Sequence, residues 1–185
     1  LCGLQNEYQC PILDAGDLFN NSKPGEFLLQ WAIKSIPNLF FTTAGNHDQS
    51  LHNQSLYDKT GLSVLEAAGR VHVLKNNQDG TRGWVSMHDR NITVMGFPYG
   101  EELHGINKTD TWKNVAIIHA HVQETLPPFI TGYTPAQLLA EMPGFDLIVC
   151  GHCHIPSIYE HRGRLIVNPG SMMRMSADQA DFRPR

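Results

Sequence analysis

Short apolar runs alternate with helix-period segments along most of the chain, and four of the apolar runs end in a small polar cluster. Pro11–Ala15 reads as a strand leading into Gly16-Asp17. Pro24–Ile36 follows with helical spacing, Pro24 near its first turn and Phe27, Leu28, Trp31 and Ala32 as its apolar face. Leu39–Thr43 is the next strand and delivers Gly45-Asn46-His47-Asp48. Gly61–Ala68 reads as a short helix closed by Gly69, and Val71–Leu74 as a strand.

Asn76–Gly83 is a polar, glycine-containing turn. Beyond it, Trp84–Met87 and Ile92–Phe97 alternate in the manner of an antiparallel hairpin through Asp89-Arg90-Asn91. Gly100–Lys113 reads as a surface loop, and Val115–Ile118 as a buried strand ending at His119. Thr134–Met142 is a helix led by Thr134-Pro135, a good N-terminal pair. Phe145–Cys150 is a strand ending at Gly151-His152-Cys153-His154, and Ile155–Glu160 with Arg164–Val167 forms a last hairpin around His161–Gly163. Early strand–helix alternation and later hairpins predict an α/β sandwich with mixed sheets. No repeat or linker divides the chain, so residues 1–185 read as one domain.

A hydrophobic fraction of 41% and a charged fraction of 17% place the chain among ordinary soluble globular proteins. No apolar run is long enough to span a membrane and no signal-peptide pattern opens the chain. A net charge of −4 gives no global basic footprint, although local Lys and Arg around a metal site could still serve a nucleic-acid substrate. Of the four cysteines, Cys150 and Cys153 flank Gly151-His152; a redox or zinc pair is open, but reduced thiols of a cytoplasmic protein fit better. Sequons at Asn20, Asn53, Asn91 and Asn107 would suit a secreted hydrolase, but nothing secretory accompanies them. The first residue is Leu and the last three are Arg-Pro-Arg, which reads as a piece of a longer protein.

The clusters carry the chemistry. Gly16-Asp17, Gly45–Asp48, His119 and Gly151–His154 supply a carboxylate, an amide oxygen and several imidazoles, the donor mixture that first-row divalent metals accept. All four sit where α/β folds gather their sites, outside the carboxyl ends of strands. His119 has a rival in His121, two residues on; His119 directly ends the strand and is preferred. Asp48 reads as a residue that orients its loop.

In this order the clusters resemble the calcineurin-like metallophosphoesterases, whose pattern is D-x-H, G-D, G-N-H-[DE], a single His, then G-H-x-H. The likeness runs from about Pro11 to Ser171. It implies a sandwich of two mixed β-sheets flanked by helices, and two divalent metal ions, manganese foremost with iron and zinc also suited. By the resemblance Asp17 bridges both metals, Asn46, His119 and His152 complete one site, and His154 belongs to the other. His47 becomes the general acid, or a stabiliser of charge at phosphorus, in a hydrolysis by metal-activated water. No Asp in the chain has a His two positions on, so the first block is absent, and by the resemblance it belongs before Leu1. The 185 residues alone are therefore expected to show little or no activity.

Residues around the clusters narrow the likeness. Gly16-Asp17-Leu18-Phe19 through Lys23-Pro24 resembles the G-D-L-F-x-x-x-K-P stretch of SbcD-type nuclease subunits, and Asn168–Arg174 followed by Asp178-Gln179 looks like the same branch. That implies a manganese-dependent DNA exonuclease and endonuclease subunit, dimeric, partnered by an SbcC-like coiled-coil ATPase. Lys23, Arg174 and Arg164 are candidates for phosphate contact. Two alternatives stay open: another phosphoesterase of this fold acting on small phosphodiesters or phosphomonoesters, and a non-catalytic module lacking the first block.

Overall fold

The computed structural model describes residues 2–75, 83–108 and 111–173. A helix absent from the sequence reading, α1 (Cys2–Tyr8), precedes β1 (Ile12–Asp14). Then come α2 (Glu26–Ser35), β2 (Phe40–Thr42), α3 (Gly61–Ala67) and β3 (His72–Val73). The three strands form a parallel sheet in the order β1-β2-β3, with α2 and α3 as the crossovers that parallel neighbours need.

The second sheet is mixed. It comprises β4 (Trp84–Met87), β5 (Ile92–Phe97), β6 (Lys113–His119), β7 (Leu147–Gly151), β8 (Ser157–His161) and β9 (Arg164–Asn168) in the order β4-β5-β6-β7-β9-β8. The four central strands are parallel, and β4 and β8 pair antiparallel at the edges. The fold is thus an α/β sandwich of two sheets flanked by helices. The polar turn expected over Asn76–Gly83 lies, but for Gly83, outside the described residues.

Strand alternation distributes the core. Phe41, Ile117, Val94 and Val149 pack between the two sheets. Phe40 turns the other way, onto Ala32 and Ile36 of α2 and Leu62 and Leu65 of α3. Ala116 and Ile118 turn outward onto Leu138, Met142 and Phe145 of α4 (Pro135–Glu141) and its C-terminal turn. Strands covered on both faces read as the continuous apolar runs seen in the sequence. A capping box between Thr134 and Gln137 opens α4, and the Thr134 hydroxyl accepts from Gln137 N–H at 3.3 Å. Among the described residues no helix is long and apolar enough to cross a membrane.

Two expectations are corrected. The buried stripe of α2 is Leu29, Ala32, Ile33 and Ile36, at i, i+3, i+4 and i+7, and Pro24 precedes its N-cap, Gly25. Phe27, Leu28 and Trp31, expected inside, are 81%, 43% and 59% exposed. The helix carries two apolar stripes, and the sheet covers only one.

Arg164 is not available to a phosphate. Its Nε donates to Phe145 O at 2.9 Å, Nη1 to Leu139 O at 2.8 Å and Nη2 to Met142 O. It therefore caps carbonyls at the C-terminal end of α4 from the start of β9, where a cation is favoured by the helix dipole. Arg164→Leu should lower the unfolding free energy by about 2–4 kcal/mol, because these carbonyls lose a charged donor. Urea denaturation followed by circular dichroism checks this; an unchanged midpoint would mean that solvent replaces the guanidinium without loss.

Candidate metal centre

Two loops of the smaller sheet and two strand ends of the larger one meet at one point. The loop after β1 turns through two successive left-handed residues, Gly16 (φ 92°) and Asp17 (φ 59°). At Gly16 a Cβ would come within 2.6 Å of His119 Nδ1, and at Gly45 one would come within 2.1 Å of Asp17 Oδ1, so both close approaches require glycine. His152 also has a left-handed backbone (φ 82°), which is disfavoured for a residue with a Cβ. The strain concentrates at these ligand positions.

Asp48 binds the two loops together. Its carboxylate accepts N–H bonds from Asp17 at 2.7 Å, Gly45 at 3.0 Å and Phe19 at 3.4 Å. Burial, with Asp17 adding to it, pushes this carboxyl up to about 6 against those three donors. The Asp17 Oδ1 atom accepts from His47 N–H at 2.9 Å, while the His47 residue itself is exposed.

From the other sheet, His119 closes β6 directly beside Gly151 of β7. Its Nδ1 lies 2.6 Å from Ala15 O. A carbonyl only accepts, so Nδ1 carries the proton and neutral His119 presents a lone pair at Nε2. That lone pair faces Asn46 Oδ1 at 3.0 Å, Asp17 Oδ2 at 3.3 Å and His152 Nδ1 at 3.3 Å; His152 Nδ1 lies 3.0 Å from Asn46 Oδ1. Four possible ligand atoms thus converge: Asp17 Oδ2, Asn46 Oδ1, His119 Nε2 and His152 Nδ1. Ligands at about 2.1 Å from one ion stand roughly 3.0 Å apart in neighbouring octahedral positions, so the observed spacing fits a first-row divalent cation. The His/Asp members of this group all lie within 4.8 Å of one another.

Titration follows the same geometry. Burial works to lower the His119 pKa, but the hydrogen bond and charge of Asp17 and the Ala15 carbonyl raise it overall. Burial works to raise that of Asp17, and the His119 hydrogen bond and charge with His47 N–H lower it overall. Burial and the neighbouring His119 depress His152.

Of the residues singled out in the sequence, Asp17, Asn46, His119 and His152 come together. His154, half-buried, lies outside that group, and its charge is felt by His152. His121 stays outside the convergence, its Nε2 against Gln123 Oε1 at 3.1 Å. Lys23 is exposed and borders a cleft with Pro24, Leu29 and Asp58. Arg174 lies outside the described residues, as do Asp178 and Gln179. Cys150 and Cys153 are free and buried, and burial pushes the Cys150 thiol up to about 12, against thiolate chemistry.

Two groups were not singled out in the sequence. Tyr99 packs its ring on His152 at 5.6 Å and on His119 at 6.0 Å, after its N–H donates to Ala44 O at 2.8 Å. His152 is thereby boxed by the rings of Tyr99, His119 and His121. Asp14 accepts from Thr42 Oγ1 at 2.6 Å and Gly16 N–H at 3.3 Å beneath the loops, and burial pushes its carboxyl up to about 7.

The calcineurin-like phosphoesterase family matches residues 11–156, well over half of the chain and all of the converging ligands. The chain belongs to the calcineurin-like phosphoesterase family. The DNA double-strand break repair protein Mre11 of Archaeoglobus fulgidus is 26% identical over 91% of this chain. The chain spans about 42% of the length of that relative. A solved archaeal phosphodiesterase superposes with a TM-score of 0.43 at 14% identity, over 91% of this chain and 72% of its own. As a family member the chain is expected to take divalent metals, and the donor set described above fits them.

Tyr99→Ala should weaken manganese binding about tenfold, in line with the loss of an outer-shell support, while Tyr99→Phe should bind as the parent does. Isothermal titration with manganese distinguishes this from a purely structural ring, for which affinity would not move. Asp14 gives a pH signature in metal-free protein. Its folded carboxyl keeps a proton that the unfolded chain releases from about pH 4, so stability falls as pH rises from there to about 7. Asp14→Asn should remove this part of the slope, at most about 1.4 kcal/mol per pH unit, leaving the part up to about pH 6 due to Asp48. An unchanged slope in urea titrations across that range would place the proton elsewhere.

Proposed function

We propose that the chain is the nuclease core of a manganese-dependent phosphodiesterase that hydrolyses DNA. In this reading it works in the cytoplasm, as a homodimer with an SbcC-like coiled-coil ATPase, cutting as exonuclease and endonuclease. The observation that carries the hydrolytic part is the convergence of Asp17 Oδ2, Asn46 Oδ1, His119 Nε2 and His152 Nδ1. The DNA part is supported by the Gly16–Pro24 stretch and by the likeness to a relative named for double-strand break repair. The uncovered row Phe27, Leu28 and Trp31 on α2 supports the homodimer.

Asp17, Asn46, His119 and His152 would hold the first metal, with Asp17 shared and His154 serving the second. Divalent ions bound there supply Lewis-acid charge at the phosphoryl group and a water acidic enough to ionise near neutrality. The chain's own groups do the rest. Asp48 keeps both loops in register, Ala15 O fixes the His119 tautomer, and Tyr99 orients His152. In this reading the His47 imidazole, exposed beside Asn46, gives a proton to the departing oxygen.

A second reading, hydrolysis of small phosphoesters, is favoured by one observation: no Lys or Arg occurs between Asn114 and His161, the stretch that supplies half of the ligands. The full-length protein should cleave single- and double-stranded DNA with manganese and stop with chelator. Asp17→Asn or His152→Gln should abolish turnover, and His47→Gln should lower kcat about 100-fold or more. Hydrolysis of bis-p-nitrophenyl phosphate without any cleavage of DNA would sink the nuclease reading and leave the small-ester one. Inactivity on every phosphoester, with metal bound, would favour a non-catalytic module.

A further inference from the structure

The chain leaving the cluster after β6 carries an aromatic that the reading above does not use. Residues 121–133 form a loop pinched at its base, where Tyr133 N–H donates to His121 O at 2.9 Å and Gln123 N–H to Tyr133 O at 3.1 Å. Val122 and Tyr133 pair there as an isolated bridge. The His121 ring stands 6.0 Å from the His152 ring, so the base of the loop is a wall of the metal cluster. From that base Leu126-Pro127-Pro128-Phe129-Ile130 turns back on itself through Ile130 N–H to Pro127 O at 3.2 Å. Two consecutive prolines stiffen the turn.

Phe129 stands at the outer end of it, fully exposed and with a left-handed backbone (φ 68°). The Pro127–Ile130 turn sets the positive φ, which the residue after Pro128 takes in a type II turn, but that position favours glycine, and the core does not account for the ring. A bulky residue disfavours that backbone, and an uncovered ring gains nothing from burial. Such outliers persist where the surroundings hold them, and they gather at functional sites. Phe129 lies three residues from Gly132, whose absent Cβ would come 2.5 Å from His121 O, so its backbone is at most roughly 11 Å from that wall.

We propose that Phe129 is a stacking platform for a nucleobase carried by the phosphodiester that binds at the metal cluster. The inference rests on the phosphodiesterase reading of that cluster and names the substrate feature it recognises beside the phosphate. Residues 114–161, the stretch that carries this loop together with His119 and His152, contain no Lys or Arg with which to grip a backbone phosphate. What it offers is a rigid, flat, apolar face, and every nucleobase has a complementary one. Phosphate charge is met at the cluster and the base is met on the loop. A DNA strand and a free nucleotide ester share this chemistry.

The test uses a phosphorothioate-linked oligodeoxyadenylate, which resists cleavage, and manganese-loaded full-length protein. Phe129→Ala should weaken binding about tenfold, Phe129→Trp should preserve it, and an oligonucleotide carrying abasic sites should bind both parent and Phe129→Ala equally weakly. In Phe129→Trp the added indole emission should be quenched by the oligonucleotide and not by inorganic phosphate. Quenching by deoxyadenosine 5′-monophosphate as well would name free nucleotides as a source, and quenching by the oligonucleotide alone would name the strand. Equal binding of parent and Phe129→Ala, or no loss from removing bases, overturns the platform. A fall in self-association in Phe129→Ala, with base binding unchanged, assigns the ring to an interface between copies and also overturns it. Bis-p-nitrophenyl phosphate separates the two failures: its hydrolysis without base-dependent binding defeats the platform alone, whereas no diester hydrolysis at all defeats the reading beneath it.

Discussion

The carboxylate of Asp48 makes one rigid piece of two loops by accepting from the N–H groups of Asp17 and Gly45, which are 28 residues apart in the chain. It sits 2% exposed and accepts from the N–H groups of Asp17, Gly45 and Phe19. A buried N–H left without an acceptor is costly, so the carboxylate dictates where both loops run. Asp17 can then hold a left-handed backbone, with its side chain fixed by His47 N–H. The larger sheet attaches to this piece at His119, whose Nδ1–H reaches Ala15 O, and at Tyr99, whose N–H donates to Ala44 O.

The attachments also explain why the cluster lies at the rim of the inter-sheet core and not on a helix face. Ala15 is part of the apolar layer that Phe41, Ile117 and Val149 fill between the sheets. Packing of that layer sets the separation of β1 from β7, and the parallel register of β6 with β7 sets His119 beside Gly151. Ligands carried on strand ends inherit the precision of the core, because a core near crystal density does not deform smoothly. The cost is stored locally as left-handed backbone at Asp17 and His152.

Much of this was legible because it is local in sequence. A ligand directly after an apolar run announces both the strand and the loop, and this holds for Gly16-Asp17, Gly45–Asp48, His119 and Gly151–His154. The β4–β5 hairpin shows in alternation, and α4 shows in Thr134-Pro135 with Gln137. What was not legible is decided by distant packing. Helix α2 has two apolar stripes of similar strength, and only the position of the sheet selects Leu29, Ala32, Ile33 and Ile36. Arg164 looks like a free cation until three carbonyls from the end of α4 and its following turn surround it. Tyr99 follows a strand without any cluster around it, and its place against two imidazoles depends on its bond to Ala44 in the other sheet. Asp14 reads as one polar residue in a short strand, and Thr42, its partner, is 28 residues away.

The converging group contributes an anionic carboxylate, an amide and two imidazoles, and the polypeptide from Asn114 to His161 adds no Lys or Arg. The net charge of −4 over the whole chain adds no long-range attraction for a phosphate. In the proposed function that attraction would come from divalent charge at the cluster, because a bound ion is the largest local charge of such a site. Metal and anionic substrate are therefore thermodynamically linked: each raises the affinity for the other, and by reciprocity the anion tightens the metal as much as the metal tightens the anion. If the cluster holds divalent ions as proposed, charge for a phosphate is supplied there, and the loop that carries no Lys or Arg is left to meet the rest of the substrate by shape and stacking.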